Sequence, residues 1–362
     1  MKKTVGIFTM FRTYNYGAVL QAYATQRYIS GLGHDAEIVD YCNKYEQNQI
    51  RVVYKEGGNI LGYFKSAFKN IILGRIFYCK KGFRNFEQIH TSKTHYENYT
   101  QLDNIKYDVL VAGSDQIWNP ILTNGLDEGF LLLHGNAKKR VSIASSMGST
   151  EIDDRSFELL KRAVSGIEWL SVREAFAKQQ LEKCTDSSIK VLMDPVFLLK
   201  SEIWESIASK SSFYKKGKPY ILTYFIGKNK SFYRGKIRKY IKQIKLPLWT
   251  IQYSNYSWKE SRRKLLGLSM EDFLAVILNA DVIITDSFHG VAFSLIFEKN
   301  FVALTNSDNP IRVKELLSKI GLDNRIDMDM SRYSQIDYSN VRKKLQLLEE
   351  DSREWIKGVF ND

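Results

Sequence analysis

The sequence predicts an α/β fold made of two Rossmann-like domains with mostly parallel sheets. Strand-like and helix-like segments alternate along all 362 residues, and several apolar strand runs end in polar turns that lead into helices. The length is sufficient for two domains of ordinary size. The hydrophobic content of 44% indicates a globular chain, and the lack of an apolar run of 18 residues predicts no transmembrane helix.

The first domain is predicted over residues 1–200. A first helix from about Gly17 to Ser30 has apolar residues at helical spacing and a glycine stop at Gly31. A basic, aromatic helical insertion is expected at about 51–90, either at a membrane surface or as a helical hairpin packed over a cleft with its lysines in water. The expected strands are Val5–Thr9, Glu37–Asp40, Val109–Ala112, Val141–Ser145, Trp169–Val172 and Val191–Met193.

The second domain is predicted over residues 201–335, with the boundary near 195–218, where the strand pattern lapses. Residues 336–362 are expected to hold a helix, at about 338–360, that packs back on the first domain. The expected strands are Tyr220–Phe225, Leu248–Gln252, Val282–Thr285 and Phe301–Leu304, with helices near 231–244, 270–280, 290–298 and 312–320.

The net charge of +13 is concentrated in two segments. Residues 51–86 carry eight Lys/Arg and one Glu, and residues 210–245 carry twelve Lys/Arg and no acid. Such patches attract nucleic acid, anionic lipid or phosphorylated small molecules, although solvated helix faces look the same in a sequence. No nucleic-acid-binding motif accompanies either patch, so nucleic acid is not an expected partner.

The three cysteines are widely spaced and no metal-binding motif is present, so neither disulfides nor a metal site is expected. The first residues resemble a strand and lack the features of a signal peptide. These observations favour a cytoplasmic location, with contact at the inner face of the cell membrane through the basic segments.

The segment around His289 has the clearest chemical setting. A buried-strand run ends at Thr285, a polar turn carries Ser287 and His289, and Gly290 opens an apolar helix. This layout places an imidazole at the carboxyl end of a strand beside a helix amino terminus, where anions bind in open α/β sheets. A histidine satisfied within the core is the alternative interpretation.

Three further strand ends carry candidate side chains. Asn15 and Gly17 lie in a turn that could face an anion or sugar, or could be only structural. Asp115 could bind a hydroxyl, act as a base or cap a helix, and nearby Trp118 could stack on a sugar ring or fill the core. Arg173 could hold a carboxylate or phosphate, or form an internal ion pair with Glu174 or a neighbouring carboxylate.

Arg312, at the start of a later helix, is a candidate second anion ligand or a surface arginine. Asn15, Asp115, Arg173 and His289 follow predicted strands from both halves of the chain. Their positions predict a cleft between the two domains as the functional site.

The chain resembles the polysaccharide pyruvyl transferase family from about Val5 to Arg325. The resemblance rests on five short blocks in order: 14–23 (YNYGAVLQAY), 113–118 (GSDQIW), 171–174 (SVRE), 194–199 (DPVFLL) and 286–290 (DSFHG). It implies two Rossmann-like domains facing a cleft in a GT-B-like arrangement. It also implies phosphoenolpyruvate as the donor substrate, a sugar of a bacterial cell-surface glycan precursor as acceptor, and a pyruvate ketal and phosphate as products.

By this resemblance, Arg173 would hold the anionic groups of the donor, His289 would transfer protons and Asp115 would orient or deprotonate the acceptor. The donor-binding set would comprise Asn15, Gly17, Arg173, Ser287, His289, Gly290 and Arg312, with no cofactor and no metal. The acceptor could be linked to a lipid diphosphate, which would bring the basic segments to an anionic membrane.

One position departs from the family pattern. Well-known members have an arginine two positions before the motif histidine, where this chain has Ser287. The backbone at 287–290, Arg312 or Arg12 could replace that cation, or this branch could use another donor. The alternative functions are a GT-B glycosyltransferase that uses a sugar nucleotide and a non-catalytic glycan- or lipid-binding protein.

Overall fold

The computed structural model divides the chain into two compact units. The first comprises Met1–Phe68, Glu87–Leu199 and Leu347–Asp362, and the second comprises Lys69–Phe86 and Lys200–Gln346. The structure describes residues 1–43, 46–47, 64, 86, 88–215, 217–227, 230–251, 260–305, 311–329 and 334–361. The predicted helix within 51–90 therefore lies outside the described residues, apart from the exposed Phe64, the buried Phe86 and residues 88–90.

The first unit is a parallel sheet of five strands in the order β3-β2-β1-β4-β5. A short parallel pair, β6-β7, continues from β5 through bridges at Val141–Trp169 and Ser145–Val172. The strands are β1 Thr4–Phe8, β2 Asp35–Tyr41, β3 Thr91–Tyr96, β4 Lys106–Ala112, β5 Asn136–Ser142, β6 Leu170–Val172 and β7 Ile189–Val191. The helices are α1 Tyr16–Gly31, α2 Pro120–Thr123, α3 Asp154–Ser165 and α4 Ala175–Leu181, with short 3₁₀ turns at Tyr99–Asn104 and Pro195–Phe197.

The second unit repeats this design, with a parallel sheet in the order β10-β9-β8-β11-β12. Its strands are β8 Ile221–Tyr224, β9 Leu248–Ile251, β10 Ser261–Leu265, β11 Val282–Thr285 and β12 Asn300–Ala303. Its helices are α5 Ser201–Ala208, α6 Lys230–Ile244, α7 Met270–Leu278, α8 Phe288–Ile296 and α9 Ile311–Ile320, with a 3₁₀ turn at Asp323–Arg325. The order third-second-first-fourth-fifth in both sheets is the Rossmann order, so the predicted fold class is confirmed.

The central strands of the first unit are buried on both faces, as their apolar runs require. Along β4, Val109 and Val111 join one core, whereas Leu110 and Ala112 join the other. This alternation follows from the two-residue period of a strand and makes helices necessary on both sides.

The last helix, α10 (Tyr338–Asn361), supplies part of one of these cores. Its Ile356, Val359 and Phe360 are buried in the same cluster as Val109 and Val111. The end of the last helix therefore packs within the first unit. No described helix is both long enough and apolar enough to cross a bilayer.

Candidate active site

Most of the predicted site residues lie at the point in each sheet where the strand order reverses. This switch point falls between β1 and β4 in the first unit and between β8 and β11 in the second. Asn15 and Gly17 follow β1, Asp115 follows β4, and His289 follows β11. Ligands of open α/β sheets bind outside the carboxyl ends of the strands at such points, so each unit carries a candidate site.

Asn15 is the N-cap of α1. Its side-chain oxygen accepts a hydrogen bond of 3.0 Å from the backbone N–H of Gly17. This bond satisfies one of the donors that a helix leaves open at its start. The Asn15 side-chain oxygen and the Gly17 N–H are therefore used to cap the helix, as expected if this turn is structural.

Asp115 has an unusual backbone. Its φ of 74° lies in the left-handed region, which a residue other than glycine occupies at a cost of about 1 kcal/mol. It does not cap a helix, because the following helix α2 is capped by Asn119. Its carbonyl accepts a bond of 3.0 Å from Ser146 N–H, and no described residue hydrogen-bonds its carboxylate. The side chain is thus held at the switch point with its carboxylate available to a ligand.

Arg173 forms the internal ion pairs that the sequence left open as an alternative. Its Nε lies 3.1 Å from Glu174 Oε1, and its Nη1 contacts Asp194 Oδ2. Burial alone would lower the pKa of Arg173, but the charges of Glu174 and Asp194 outweigh burial and raise it. The guanidinium is therefore a permanent cation shared between two buried carboxylates.

A buried polar network joins four of the five sequence blocks in the first unit. Arg173 Nη1 donates to Ser114 Oγ at 3.4 Å, and Thr9 Oγ1 donates to the Ser114 carbonyl at 2.6 Å. Gln21 Nε2 donates to Thr9 Oγ1 at 2.8 Å. Blocks that are distant in sequence thus converge beneath the 113–115 turn and fix its position.

Trp118 is a core residue. It is fully buried, and its ring N–H donates to the carbonyl of Phe130 at 3.1 Å. The suggestion that it stacks on a sugar ring is therefore wrong, because no face of the ring reaches solvent.

In the second unit, the helix that carries His289 begins one residue after Ser287. Ser287 is the N-cap of α8, and its Oγ accepts from Gly290 N–H at 3.3 Å. The sequence placed His289 in a turn before the helix, whereas the structure places it in the first helical turn. Arginine has no acceptor, so the residue that other family members use here could not make this cap.

Asp286 anchors the same turn to the end of β8. Its carboxylate accepts hydrogen bonds from the N–H groups of Ile226 and Gly227 at 2.8 and 2.9 Å and from Tyr233 Oη at 2.7 Å. Burial raises its pKa, although these three donors oppose the shift. Asp286 therefore holds both sides of the switch point together.

His289 and Arg312 both contact Phe288. The His289 ring stands perpendicular to the Phe288 ring with 5.2 Å between centroids, and the Arg312 Cζ lies 5.7 Å from the Phe288 centroid. All three side chains are at least nine-tenths buried. The structure therefore brings Ser287, His289, Gly290 and Arg312 together at the amino terminus of α8.

The eight predicted site residues fall into two sets. Asn15, Gly17, Asp115 and Arg173 belong to the first unit, and the other four belong to the second. The expectation that both sets face one cleft stays a prediction.

Several residues that complete the candidate sites were not predicted from the sequence. Asp194 and Ser114 complete the Arg173 network, and Asp286 anchors the His289 turn. Asp286 directly follows the buried strand β11, and Asp194 lies three residues after β7. A position just after a strand was the signal that could have identified both residues.

The family of the chain follows from a sequence comparison. The family model described as polysaccharide pyruvyl transferase matches residues 15–309. The match begins at the cap of α1 and ends beyond β12, so it includes both switch points. The chain belongs to the polysaccharide pyruvyl transferase family and is a transferase. No curated protein matches it significantly.

One of the similar solved structures supports the fold, with a TM-score of 0.50. UDP-GlcNAc 2-epimerase from Methanocaldococcus jannaschii aligns with a TM-score of 0.50 and 11% identity, covering 100% of both chains. The same enzyme in complex with UDP-GlcNAc and UDP gives 0.49 and 14%, covering 100% of this chain and 99% of the other. A glycosyltransferase from Rickettsia africae gives 0.47 and 12%, covering 99% and 100%. At these identities the likeness concerns the fold alone.

Proposed function

We propose that the chain transfers the pyruvyl group of phosphoenolpyruvate to two hydroxyls of one sugar in a bacterial cell-surface polysaccharide precursor. The products are a pyruvate ketal and inorganic phosphate, and neither a cofactor nor a metal takes part. One observation carries the proposal: the first turn of α8 joins an imidazole, a guanidinium and a helix amino terminus at a switch point. This combination can bind an anion and move a proton.

The reaction has simple requirements. Two sugar hydroxyls form bonds to C2 of the enol, C3 gains a proton and becomes a methyl group, and the C2–O bond to phosphate breaks. Of the two protons released by the hydroxyls, one balances the proton gained at C3 and the other leaves with phosphate. A proton donor, a base and a site for the carboxylate and phosphate are therefore sufficient.

We assign the donor to the second unit. The first-turn N–H groups of α8 and the Arg312 guanidinium would hold the anionic groups, and His289 would deliver the proton to C3. Arg312 is the proposed substitute for the arginine that Ser287 replaces. It lies against the same ring as His289, which supports that substitution.

We assign the acceptor to the first unit, with Asp115 as the base that orients or deprotonates a hydroxyl. Arg173 is better explained as the residue that positions the 113–115 turn, because its Nε and Nη1 face Glu174 and Asp194. Removing this cation would take the guanidinium charge away from two buried carboxylates, which costs several kcal/mol. Arg173→Ala is therefore expected to impair folding together with turnover.

Turnover tests these roles. The substrates are phosphoenolpyruvate and oligosaccharide repeat units prepared from the surface polysaccharide of a strain that lacks this chain. Phosphate should appear only when both are present. We expect His289→Ala to lower turnover about a hundredfold and Arg312→Ala at least tenfold, whereas exposed His90→Ala should have little effect.

Two outcomes would contradict the proposal. Near-normal turnover in both the His289 and Arg312 variants would refute the assigned donor site. Thermal stabilisation of the chain by UDP- or GDP-sugars, with none by phosphoenolpyruvate, would favour a glycosyltransferase that uses a sugar nucleotide.

We also propose that a basic surface of the second unit contacts anionic membrane, where a lipid-linked acceptor would be found. Exposed cations on α6 and β10 form this surface, and the 2.6 Å ion pair between Arg238 Nε and Glu260 Oε1 joins the two elements. Each cation near an anionic bilayer contributes about 1 kcal/mol. The surface comprises Arg234, Arg238, Lys239, Lys242, Arg262 and Lys264, with Lys245 directly after α6.

Vesicle binding tests this surface. The chain should sediment with vesicles that contain phosphatidylglycerol and not with pure phosphatidylcholine, and high salt should weaken the binding. Combining Lys242→Glu, Arg262→Glu and Lys264→Glu should abolish it. Lys161→Glu, Lys343→Glu and Lys357→Glu together make the same charge change at exposed positions elsewhere and should retain it. Equal losses in both triple variants would refute a specific surface.

A further inference from the structure

A second group of carboxyls lies in the first unit after the end of β2, at the same sheet edge as Asp115. Asp127 accepts hydrogen bonds from Tyr41 Oη at 2.8 Å and from Asn43 Nδ2 at 3.2 Å. Asn43 Oδ1 in turn accepts from the backbone N–H of Glu46 at 2.9 Å. These bonds fix the chain just after β2 and bring the Glu46 side chain to the same edge of the sheet as Asp115.

Glu46 is buried without full compensation. Its exposed fraction is 3%, and within the described residues its Oε2 has no hydrogen-bond partner. Buried carboxyl oxygens are normally paired, because an unpaired one costs about 1–3 kcal/mol. The Oε2 atom of Glu46 can therefore take part in a hydrogen bond with a bound ligand.

Burial and the nearby carboxylates favour the neutral form of Glu46. Burial raises its pKa to about 8, and although the Asn43 backbone opposes this shift, the carboxylates of Asp127 and Asp115 add to it. Arg12, whose charge opposes the shift, is paired with Asp40 at 2.5 Å, and Asp40 also contacts His95 Nδ1 at 3.0 Å. A neutral carboxyl can both donate and accept a hydrogen bond, as a sugar hydroxyl can.

The strand order places this carboxyl at the same sheet edge as the candidate base. β2 is adjacent to β1, and β1 is adjacent to β4, so the ends that carry Glu46 and Asp115 lie at one edge of one sheet. The Asp115 carboxylate is near enough to influence the Glu46 charge. Two carboxyl groups in one region, one neutral and one available as a base, match two hydroxyls of a single sugar.

We propose that Glu46 is a further acceptor-binding residue, which holds one of the two sugar hydroxyls that become bridged while Asp115 holds the other. The inference rests on the proposed function and extends it, because it makes a hydroxyl pair the feature by which the acceptor is recognised. Glu46 acts by hydrogen bonding and takes no part in breaking or forming covalent bonds.

Binding of oligosaccharides in the absence of phosphoenolpyruvate tests the proposed role of Glu46. The probe is the repeat-unit oligosaccharide from the strain that lacks this chain, and the comparison probe is the pyruvylated unit from the parent strain, in which both hydroxyls are blocked. Calorimetry should show binding of the first and at least about tenfold weaker binding of the second. Glu46→Ala should weaken binding of the first probe about tenfold, whereas Glu46→Gln, which keeps a donor and an acceptor, should stay within about threefold.

The pH dependence separates binding from a merely structural role. Affinity of the parent chain should fall above about pH 8, where Glu46 loses its proton, and Glu46→Gln should remove that fall. Glu97→Gln, at an exposed carboxylate, should behave like the parent. If Glu46→Ala does not fold, the Glu46→Gln profile decides.

The possible failures are distinct. If the two oligosaccharide probes prove chemically identical, the parent strain adds no pyruvate to this repeat unit and the proposed function fails. If they differ but Glu46→Ala and Glu46→Gln bind like the parent with the same pH profile, the Glu46 inference is overturned and the proposed function stands.

Discussion

At the scale of single residues, the chain keeps several carboxyl groups out of water. Asp286 has three donors and Asp194 faces a guanidinium, so both have compensating partners. Glu46 has less compensation, because one of its oxygens is unpaired among the described residues. The fold therefore carries a cost at Glu46 that depends on its charge.

Glu46→Gln should change how stability depends on pH. The pKa of Glu46 rises from 4.5 to about 8 on folding, so its contribution is fully present below about pH 4.5 and is lost as pH rises through 8. The glutamine variant lacks this loss. Between about pH 5 and pH 9, urea unfolding should show the free energy of unfolding of the variant rising relative to that of the parent by up to a few kcal/mol. Glu97→Gln should give a constant difference, and parallel curves for Glu46→Gln would contradict the assignment.

The sequence predicted which residues follow the strands but not how their side chains are used. Arg173, Asn15 and Trp118 had two interpretations each, and only the structure shows the ion pairs, the cap and the burial that separate them. The partners of Arg173 come from two different blocks of the chain. A spacing pattern cannot show which carboxylate reaches which guanidinium.

At the scale of elements, close packing determines the start of α8. A Cβ added at Gly290 would lie 2.4 Å from Thr285 Oγ1, which is itself bonded to the Tyr224 carbonyl at 2.6 Å. The helix therefore approaches β11 at a distance that only glycine allows. This approach places His289 at the switch point.

Gly290→Ala tests that packing. The extra methyl group must displace Thr285 or the helix, so the variant should lose about 2 kcal/mol of unfolding free energy and some activity. Gly235→Ala is the matched control, because its added Cβ in α6 meets nothing within 4 Å and alanine favours helices. Denaturant unfolding should show the first variant destabilised and the second unchanged or slightly stabilised. Equal stability in the two would refute the steric argument.

Two strands were missed in the sequence, β3 and β10. Both are edge strands, with sequences TSKTHY and SRRKL. A central strand of a parallel sheet is buried on both sides and is recognisable by its apolar run, whereas an edge strand carries polar residues. The buried strands β1, β4, β8 and β11 were all predicted to within a few residues, because burial imposes their composition.

At the scale of the whole molecule, one sheet design occurs twice and the last helix completes the first copy. Trp355 packs edge-on against Trp169 at 5.3 Å, and Phe360 stacks on His34 at 4.9 Å. Arg353 donates to the carbonyls of Phe197 and Leu198 at 3.0 and 3.1 Å. The first unit therefore depends on residues from both ends of the chain.

Phe360→Ala should destabilise the first unit. Its ring is 5% exposed, so truncation should cost about 3 kcal/mol by leaving a cavity. Leu347→Ala, in the same helix but 68% exposed, should change the free energy of unfolding by less than about 0.5 kcal/mol. Guanidinium unfolding followed by tryptophan fluorescence measures the free energy of unfolding of both variants. Equal losses would show that burial of Phe360 does not stabilise the core of the first unit.

The late position of α10 has a consequence during synthesis on the ribosome. Residues 355–360 emerge after every described strand of the second unit. Until then they cannot cover the apolar face formed by Val5, Ile7, Val109 and Val111. The second unit can thus acquire its sheet before the first is sealed. The nascent chain carries an apolar face through that interval, and this face is where a chaperone would bind.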